Sequence, residues 1–535
     1  MASLAQRLHH LLAEHDIRGI CQITRGLEKE SLRVTLAGDI AQTPHPQALG
    51  AALTHPDITT DYSEALLEFI TAPGEDIPQL IDTLKSLHQY TYKNIGEEVL
   101  WTSSMPCMLG NDEAIPVAQY GQSNSGKMKT AYRLGLGHRY GRSMQTIAGI
   151  HYNFSVSDQL WKSLRFQDHS DLPLKAYKTQ GYFHLIRNFK RYFWLLLYLY
   201  GAAPAVCKTF IKHNNHPLVP TNKAGHTLHG PYATSLRMGN LGYQSDAQNS
   251  LHVTYNCLPS YTQTLCAAIT QTHQGYADIG IKDADGKHQQ LNDGLLQIEN
   301  EFYSVIRPKR TTQSGQTAIN ALTEGGVEYI EVRCLDLNPF EEVGISETQI
   351  RFLDLFLLYC LLEESPLSDK QEDEQLQTNQ KRMVYEGRDP ELMLYYFGKE
   401  RGARAWGEEI MSALAPIASL LDSQTDDTLY QQCLDQERAK LVDDTLTPAA
   451  KILDAMQRED ISFYRFAMNQ AIDNKATSIE QSLPKSQEQA LKQASLDSIE
   501  KQSLVEKSDC IDFETFLANY YDQYQCSTKA KAPTS

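Results

Sequence analysis

The stretch GLEKESLRV, Gly26–Val34, alternates in a way that predicts a β-strand, and this strand decides the fold class. Successive side chains of a strand point to opposite faces, so Glu28 and Glu30 would share a face with Leu32 and Val34. Carboxylates seldom lie beside the apolar residues of a core unless a partner stabilises their charge. The stretch therefore predicts a strand whose polar face has a chemical role.

Two further stretches predict strands of the same kind. In MQTIAGIHYNFSV one face carries His151 and Asn153, and in VEYIEVRCL one face carries Glu331 and Arg333. Several strands with one polar face predict an antiparallel sheet backed by helices. The sequence thus favours an α+β fold rather than repeated βαβ units.

Helices are predicted between and after these strands. GISETQIRFLDLFLLYCLLEESP is apolar on most faces, begins with a capping-box pattern at Ser346 and Gln349, and is followed by Pro366. The apolar run YFWLLLYLYGAAPAV, residues 192–206, is short for a bilayer span and predicts a buried helix. The charged run SDKQEDEQLQTNQKR, residues 368–382, predicts a surface loop.

The composition of the 535-residue chain limits its partners and its location. A formal net charge of −17 argues against nucleic acid or an anionic membrane as the main partner. The N-terminal MASLAQRLHHLLAEHDIRGI predicts a short amphipathic helix and not a signal peptide. Ten cysteines without CxxC pairs predict reduced thiols rather than a disulfide framework. Together these features predict a soluble, cytoplasmic protein.

The composition changes near Asn474. The following segment, NKATSIEQSLPKSQEQALKQASLDSIEKQSLVEKSD, contains no aromatic residue and is rich in Ser, Gln, Lys and Glu, so it can bury little surface. We therefore predict a catalytic domain at residues 1–474 and a polar, partly helical C-terminal extension at residues 475–535. The chemistry is expected to lie in the first of these.

Two glycine-containing motifs fail as nucleotide fingerprints. GQSNSGKM, Gly121–Met128, nearly matches GxxxxGK[ST], but Met128 replaces the hydroxyl that would contact magnesium. A turn rich in Gly, Ser and Asn is the simpler interpretation. GLGHRYG has three residues rather than two before its last glycine, which disagrees with the dinucleotide-binding pattern.

Acidic residues on several predicted strands favour a magnesium site. Acids that converge on one face repel one another unless cations lie between them. Magnesium prefers carboxylate oxygens and keeps positions for phosphate oxygens, and His151 would add a nitrogen ligand. Taken singly, each acid is more simply a solvated side chain, and His151 a hydrogen-bonded core residue. The acids concerned are Glu28, Glu30, Asp61, Glu64, Glu68 and Glu331.

Basic residues accompany these acids. A basic cluster is usually a solvated surface, but in an acidic protein, beside metal-binding acids, it suits a polyphosphate whose transferred group must be neutralised. The acids would hold magnesium, and magnesium would hold a nucleotide. The basic residues concerned are Arg237, Arg307, Lys309, Arg310 and Arg333.

A family resemblance rests on six motifs: GLEKESLRV, ITTDYSEALLEFIT, MQTIAGIHYNFS, PYATSLRMGNLGY, LQIENEFYSVIRPKR and GGVEYIEVRCLDLNPF. In order and spacing they closely resemble the glutamate–cysteine ligase (γ-glutamylcysteine synthetase) family of the gammaproteobacterial type. The resemblance extends from about Ile17 to the region before Asn474. Several long motifs match together, which makes it specific.

The resemblance implies a glutamine-synthetase-like fold, in which an antiparallel sheet forms a funnel-shaped active site. It also implies the first step of glutathione biosynthesis. ATP would phosphorylate the γ-carboxylate of L-glutamate, and the amine of L-cysteine would attack the γ-glutamyl phosphate to give γ-glutamylcysteine, ADP and phosphate. Magnesium ions, with manganese as the alternative, and arginines would neutralise the charge in both steps.

The resemblance further implies roles for individual residues. The metal ligands would be Glu28, Glu30, Asp61, Glu68, His151 and Glu331. As catalytic residues, Arg333 would steady the transferred phosphoryl group and Arg237 would bind a substrate carboxylate. The amino-acid substrates would contact Tyr62, Tyr132, Leu136, Gln145, Ile147, Tyr243 and Tyr303. The nucleotide would contact Asn153, Arg307, Lys309 and Arg310.

One residue departs from the family pattern. The family has phenylalanine where this chain has Tyr62, and we expect the added hydroxyl to affect cysteine selectivity rather than the reaction. For each tyrosine taken alone, core packing is the simpler explanation. The resemblance also implies feedback inhibition by glutathione, because glutathione contains the product. We expect a monomer.

Three other functions fit parts of the same pattern. A related ATP-dependent ligase would join glutamate to another amine, and the residues of the amine pocket would distinguish it. A non-catalytic nucleotide sensor would have lost the metal-binding acids or Arg333, yet all are present. A metal-dependent hydrolase suits acids and histidine on a sheet, but the basic cluster and the lack of HExxH count against it.

Overall fold

We describe the fold from a computed structural model of the chain. The described residues are 4–13, 17–211, 216–221, 225–241, 248, 251–423 and 427–526. The predicted residue Tyr243 lies outside them.

The strands form one large antiparallel sheet and two small ones. The strands are β1 Ile23–Val34, β2 Ile58–Thr60, β3 Leu66–Ile70, β4 Val99–Leu100, β5 Ile150–Val156, β6 Ala205–Cys207, β7 Val219–Pro220, β8 Thr227–His229, β9 Ile306–Lys309, β10 Tyr329–Leu335, β11 Met393–Tyr396 and β12 Lys399–Gly402. The large sheet has the order β2-β3-β1-β5-β10-β9, and β4 pairs with the end of β1. Since β1 lies inside this sheet with a partner on each side, the first stretch quoted above does organise the fold.

Helices surround the large sheet. They are α1 Leu4–Leu12, α2 Ile17–Ile20, α3 Ile77–Asn94, α4 Asn124–Tyr140, α5 Asp158–Gln167, α6 Leu174–Tyr192, α7 Trp194–Tyr200, α8 Leu258–Thr270, α9 Gln274–Ala277, α10 Ala318–Gly325, α11 Glu347–Leu362, α12 Lys370–Glu386, α13 Ala403–Asp422, α14 Leu429–Val442, α15 Pro448–Arg458, α16 Phe463–Glu480, α17 Lys485–Ser508 and α18 Phe513–Tyr521. The α+β prediction is confirmed.

Several predicted elements are confirmed and others are wrong. The N-terminal helix, the buried helix α7 and the core helix α11 are present, and Ser346 caps α11 by accepting a hydrogen bond from the Gln349 amide. The predicted strand in MQTIAGIHYNFSV starts only at Ile150, because residues 143–146 form a 3₁₀ helix.

Two predicted loops are partly or wholly helical. The run SDKQEDEQLQTNQKR lies at the cap and in the body of α12, where the Asp369 side chain accepts a hydrogen bond from the Glu372 amide. Gln, Glu and Lys favour helices, and the buried Asn379 and Met383 attach α12 to the core. GQSNSGKM is a turn only as far as Ser123, which caps α4.

The face of β1 opposite Glu28 and Glu30 is also polar but is closed by packing. Lys29 Nζ donates a hydrogen bond to Ser31 Oγ at 2.6 Å and lies 2.8 Å from His88 Nε2 on α3. Burial lowers the pKa of Lys29 to about 7, because the charged form of the amine is disfavoured in the interior. The polar groups on one face of β1 therefore contact one another and α3 inside the protein, whereas those on the other face line the cavity described below.

A buried ion pair joins the large sheet to the helices behind it. Arg25 on β1 donates a 2.6 Å hydrogen bond from Nη2 to Asp354 on α11. The hydroxyls of Tyr152 on β5 and Tyr430 on α14 donate to the same carboxylate at 2.6 and 3.0 Å. Asp354 is fully buried. Four elements thus share one charged hydrogen-bond network.

The C-terminal segment is helical and packs against the rest of the chain. The predicted domain boundary at residue 474 falls within α16. Beyond it, α17 contacts the N-terminal region through Ser498, whose hydroxyl accepts a hydrogen bond from the Ala51 amide. α18 buries Leu517 against a cluster that includes Ala131 of α4. The division into domains stays a prediction.

The expectation that all cysteines are reduced is wrong. Cys107 is bonded to Cys207, and Cys266 to Cys526, over sequence separations of 100 and 260 residues. Such separations leave no local spacing signal, since folding brings the partners together. Among the described residues no helix is both long enough and apolar enough to cross a membrane.

Removal of the buried carboxylate should destabilise the fold strongly. We expect Asp354→Ala to lower the free energy of unfolding by about 3 to 5 kcal/mol, because it leaves the Arg25 charge buried and unpaired. Urea titration followed by circular dichroism measures the change. The matched control is Glu347→Ala, which removes a partly exposed partner of Arg351 from the same helix and should cost about 0 to 1 kcal/mol. Equal losses for both variants would contradict the assigned role.

The disulfide pairs predict a thiol count. Protein denatured without a reductant should expose six cysteines to a maleimide reagent, and ten after reduction. Intact-mass spectrometry counts the added groups, and peptide mapping should assign the protected residues to 107, 207, 266 and 526. Labelling of all ten before reduction would refute both bonds.

Candidate active site

The predicted site residues lie on one face of the large sheet because its register aligns them. Glu28 on β1 is opposite His151 on β5, and Glu30 is opposite Glu68 on β3. On the other side of β5, Glu331 of β10 is opposite Asn153. Positions two apart share a face, so alternation along each strand and pairing between strands together gather the charges.

An imidazole lies at the centre of the acids. His151 Nδ1 is 3.2 Å from Glu28 Oε2 and 3.8 Å from Glu331 Oε1, and its Nε2 is 3.8 Å from Glu30 Oε1. Glu30 also accepts a 2.6 Å hydrogen bond from the Gly149 amide, which fixes one of its oxygens. The predicted convergence of these acids on His151 is therefore present.

Positive neighbours keep two of the acids ionised. Burial would raise the pKa of Glu331, but Lys309 and Arg333 outweigh burial and hold this pKa well below its ordinary value. Lys309 Nζ lies 3.4 Å from Glu331 Oε1, and Arg333 Nη1 lies 3.3 Å from Oε2. Burial likewise opposes ionisation of Glu28, yet its hydrogen bond with His151 leaves its pKa lowered.

For Glu30 and Glu68 the positive neighbours do not outweigh burial. Burial, followed by repulsion from Glu28 and Asp61, raises the pKa of Glu68 well above its ordinary value. Burial also raises the pKa of Glu30. A cation bound beside Glu30 and Glu68 would therefore stabilise their ionised forms.

The chemistry of these donors fits a divalent cation. One ligand atom each from Glu28, His151 and Glu331 lies within 4.8 Å of the others. Carboxylate oxygens with a single imidazole nitrogen suit hard ions such as Mg²⁺ and Mn²⁺, whereas zinc sites more often gather several Cys or His ligands. Glu30, Asp61 and Glu68 line the same cavity and extend the donor set.

Two arginines border the acids. Arg333 Nη1 lies 3.4 Å from His151 Nδ1 as well as beside Glu331. Arg237 is buried, donates a 2.9 Å hydrogen bond from Nη2 to the Arg333 carbonyl, and lies 3.9 Å from Asp336. A Cβ on Gly149 would overlap the Arg237 guanidinium, so glycine at this position gives the arginine its space.

These side chains line a cavity of about 900 Å³, large enough for a nucleotide together with small substrates. The predicted metal ligands that line it are Glu28, Glu30, Asp61, Glu68, His151 and Glu331. The other predicted residues in its wall are Tyr62, Tyr132, Leu136, Gln145, Arg237, Tyr303, Arg307, Lys309 and Arg333.

Four predicted residues, among them Glu64, do not line this cavity in the part of the chain that the structure describes. Ile147 is fully buried in the core. Asn153 donates a 2.8 Å hydrogen bond to Oε1 of Glu28, which does line the cavity. Arg310 points to the end of α10, where its Nη1 donates to the Gly326 carbonyl at 3.1 Å.

The Tyr62 hydroxyl has an unusual environment. It is buried and has no hydrogen-bond partner among the described residues, and burial raises the pKa of the phenol. A Cβ on Gly137 of α4 would overlap this hydroxyl, so the helix carries glycine where Tyr62 approaches. The phenol is thus held close to α4 at the cavity wall.

Helix α4 supplies site residues that the sequence analysis missed. The missed residues are Ser125, Lys129 and Arg133, which recur at a spacing of four and share one face in the cavity wall with the predicted Leu136. Arg133 also contacts the Asp61 carbonyl. This helical periodicity is a signal that was available, but the glycines of α4 and the turn interpretation obscured it.

The far wall of the cavity comes from regions distant in sequence. The loop 312–316, together with Phe516 and Tyr520 of α18, completes the lining. No local pattern in these stretches indicates a site, because their role arises from contacts with residues hundreds of positions away.

Comparisons with known proteins identify the family of this chain. The family model described as glutamate-cysteine ligase matches residues 8–383. The glutamate–cysteine ligase of Alcanivorax borkumensis is 49% identical over 525 residues, which cover 97% of this chain and 100% of that protein. That of Saccharophagus degradans is 49% identical over 507 residues, covering 94% of this chain and 95% of that one.

Solved structures show the same fold. A glutamate–cysteine ligase from Francisella tularensis in complex with AMP matches with a TM-score of 0.89 and 34% identity, covering 95% of this chain and 99% of that chain. A bifunctional glutathione synthetase from Pasteurella multocida matches with a TM-score of 0.69 and 27% identity, covering 88% of this chain and 55% of that chain. The α+β fold is thus glutamine-synthetase-like, as the resemblance implied, and this chain belongs to the glutamate–cysteine ligase family.

Proposed function

We propose that this protein ligates L-cysteine to the γ-carboxylate of L-glutamate with consumption of ATP, the first step of glutathione biosynthesis. The observation that carries the proposal is the joint arrangement of buried acids, His151 and Arg333 on one sheet face. Acids at this density suit a polyphosphate with its metal ions, and the arginine suits a phosphoryl group in transfer. Family membership supports L-glutamate and L-cysteine as the two amino acids.

The reaction would proceed in two steps. A γ-carboxylate oxygen of glutamate attacks the γ-phosphorus of ATP, the bond from this phosphorus to the β–γ bridging oxygen breaks, and ADP leaves. The amine nitrogen of cysteine then attacks the acyl carbon, the carbon–oxygen bond to phosphate breaks, and the nitrogen loses a proton. Both steps gather negative charge, which explains why cationic side chains surround the acids.

Magnesium is the ion we propose for the acid cluster, with Glu28, Glu30, Asp61, Glu68, His151 and Glu331 as the residues that would hold it. When bound, such an ion polarises phosphoryl oxygens and offsets their charge. Lys309 and Arg307 lie on β9 beside Glu331, where they would orient the phosphates. Manganese would suit the same oxygen-rich donors.

The arginines would have separate tasks. Arg333 borders His151 and Glu331, so it would stabilise the charge that develops on the transferred group. Arg237 is fixed by the Arg333 carbonyl and would bind a substrate carboxylate. A guanidinium held by other groups needs little reorganisation as charge develops, which makes it effective in this role.

The amine pocket would lie beside α4. Tyr62, Tyr132, Leu136, Gln145 and Tyr303 line that part of the wall and would enclose the small side chain of cysteine. Their rings supply apolar area with few rotatable bonds, which lowers the entropic cost of binding. Glutathione contains the product, so we propose that it binds the same pocket and inhibits. A monomer in the cytoplasm stays our prediction.

The proposed reaction predicts cysteine-stimulated ADP release. Purified protein with magnesium and ATP should release ADP rapidly only when L-glutamate and L-cysteine are both present, and mass spectrometry should find γ-glutamylcysteine. A coupled assay measures ADP with glutamate alone, with cysteine and with other amines. Stronger stimulation by another amine would reassign the second substrate, and silence with every amine would refute the ligase proposal.

Loss of the phosphoryl-binding arginine should slow the chemistry. We expect Arg333→Ala to lower kcat by about a hundredfold to a thousandfold, because charge developing in the transition state loses a preorganised donor. Steady-state ADP release gives kcat and KM for each substrate. The matched control is Arg458→Ala, which removes an exposed guanidinium at the end of α15 and should leave kcat unchanged. Normal turnover by Arg333→Ala would contradict the assigned role.

A further inference from the structure

Two aromatic side chains of the last helix enter the cavity wall. Phe516 and Tyr520 lie one helical turn apart on α18, so they present adjacent rings to the same side. Both are partly buried rather than enclosed in the core. Leu517, on the neighbouring face, is buried against Ala131 and Leu291 and fixes the orientation of the helix.

The segment that carries these rings is fastened at several points. We call residues 509–526 the C-terminal strap. At its start the Asn124 amide donates to Asp509 Oδ2 at 2.6 Å, and in α18 the Tyr521 hydroxyl donates to the Gln297 carbonyl at 3.0 Å. At its end Tyr524 is hydrogen-bonded to the buried Glu299. The disulfide between Cys266 and Cys526 adds a covalent attachment there.

The C-terminal strap also holds a loop of the cavity. Gln523 donates from Nε2 to the Gly315 carbonyl at 2.7 Å and accepts from the Thr317 amide at 3.0 Å through Oε1. This side chain therefore contacts the C-terminal end of the loop 312–316, which lines the cavity. The loop begins three residues after Lys309, whose ammonium group contacts Glu331. The strap thus adjoins the end of the site where phosphates would bind.

We propose that the C-terminal strap forms a wall of the nucleotide subsite and that Phe516 and Tyr520 pack against the adenine ring of ATP. The proposal rests on the ligase function above. Flat aromatic side chains bind a planar base through stacking and edge contacts, whichever polar groups read its edges. The nucleotide would then contact cationic side chains, Lys309 and Arg307, at its phosphates and aromatic rings at its base.

The chemistry of this wall suits a base better than cysteine. Cysteine is a small substrate, and the part of the wall formed by Tyr62, Leu136 and Gln145 already provides a pocket of its size. Two further rings and a polar loop offer more area than a thiol-bearing side chain needs. The proposal replaces the expectation that the chemistry ends before residue 475.

Aromatic-to-leucine variants of the full-length protein test the proposal. Phe516→Leu and Tyr520→Leu keep an apolar side chain on α18 but remove the ring. Each should raise KM for ATP, and the dissociation constant of a non-hydrolysable ATP analogue with magnesium, by about tenfold, the factor that a loss of about 1.4 kcal/mol produces. KM for glutamate and for cysteine should stay within about twofold. Tyr520→Phe retains the ring and should bind ATP as tightly as the unmodified protein.

The matched control is Phe513→Leu, the same change on the same helix. Phe513 packs edge-on against His288 outside the cavity wall, so its loss should leave nucleotide binding unaltered. The proposal would be overturned by unchanged nucleotide binding in Phe516→Leu and Tyr520→Leu, by an effect on cysteine alone, or by an equal effect of Phe513→Leu. Calorimetry measures binding of the analogue in the absence of the amino acids. If the wild-type protein binds the analogue but catalyses no ligation, the proposed function is refuted and the proposed subsite is not.

Discussion

Charge balance on one face of the large sheet is the constraint on which the rest of this structure depends. Five strands bring carboxylates, an imidazole and cations to that face, and most of these groups are buried. Lys309 and Arg333 offset the negative charge of Glu331. The principal charged neighbours of Glu68 are three acids and one cation, Arg133. Buried charges of one sign are tolerated only with a compensating partner. A bound cation would lower the cost of ionising the acids on this face, and this is the support that the fold gives to the proposed metal–nucleotide substrate.

The same constraint shapes the side of the sheet that faces the helices. A strand cannot alternate freely when both faces are buried, so its polar groups there need internal partners. Lys29 meets Ser31 and His88, and Arg25 meets Asp354. These contacts tie β1 to α3 and α11. Since β1 carries Glu28 and Glu30, its attachment behind the sheet also fixes the acids in front of it.

The sequence predicted what depends on local alternation and missed what depends on distant contacts. Period-two patterns identified β1 and the parts of β5 and β10 that carry Glu28, Glu30, His151 and Glu331, which lie together in the cavity wall. The polar helix α12 was mistaken for a loop because its stabilisation comes from a few buried positions such as Met383. The disulfide from Cys266 to Cys526 joins segments 260 residues apart, and nothing near either cysteine indicates the other.

The C-terminal strap shows that the charged face of the site and part of the cavity wall are held by different parts of the fold. The sheet supplies the reactive face from residues that lie between Glu28 and Arg333, but the cavity wall includes Tyr520. Gln523 of the strap contacts the Gly315 carbonyl and the Thr317 amide, and the bond between Cys266 and Cys526 attaches the strap to α8. The acids and arginines are thus held by the sheet, whereas part of the cavity wall is held by the strap. If the strap contributes to nucleotide binding as proposed, variation in it would alter binding with less disturbance of the charged groups on the sheet.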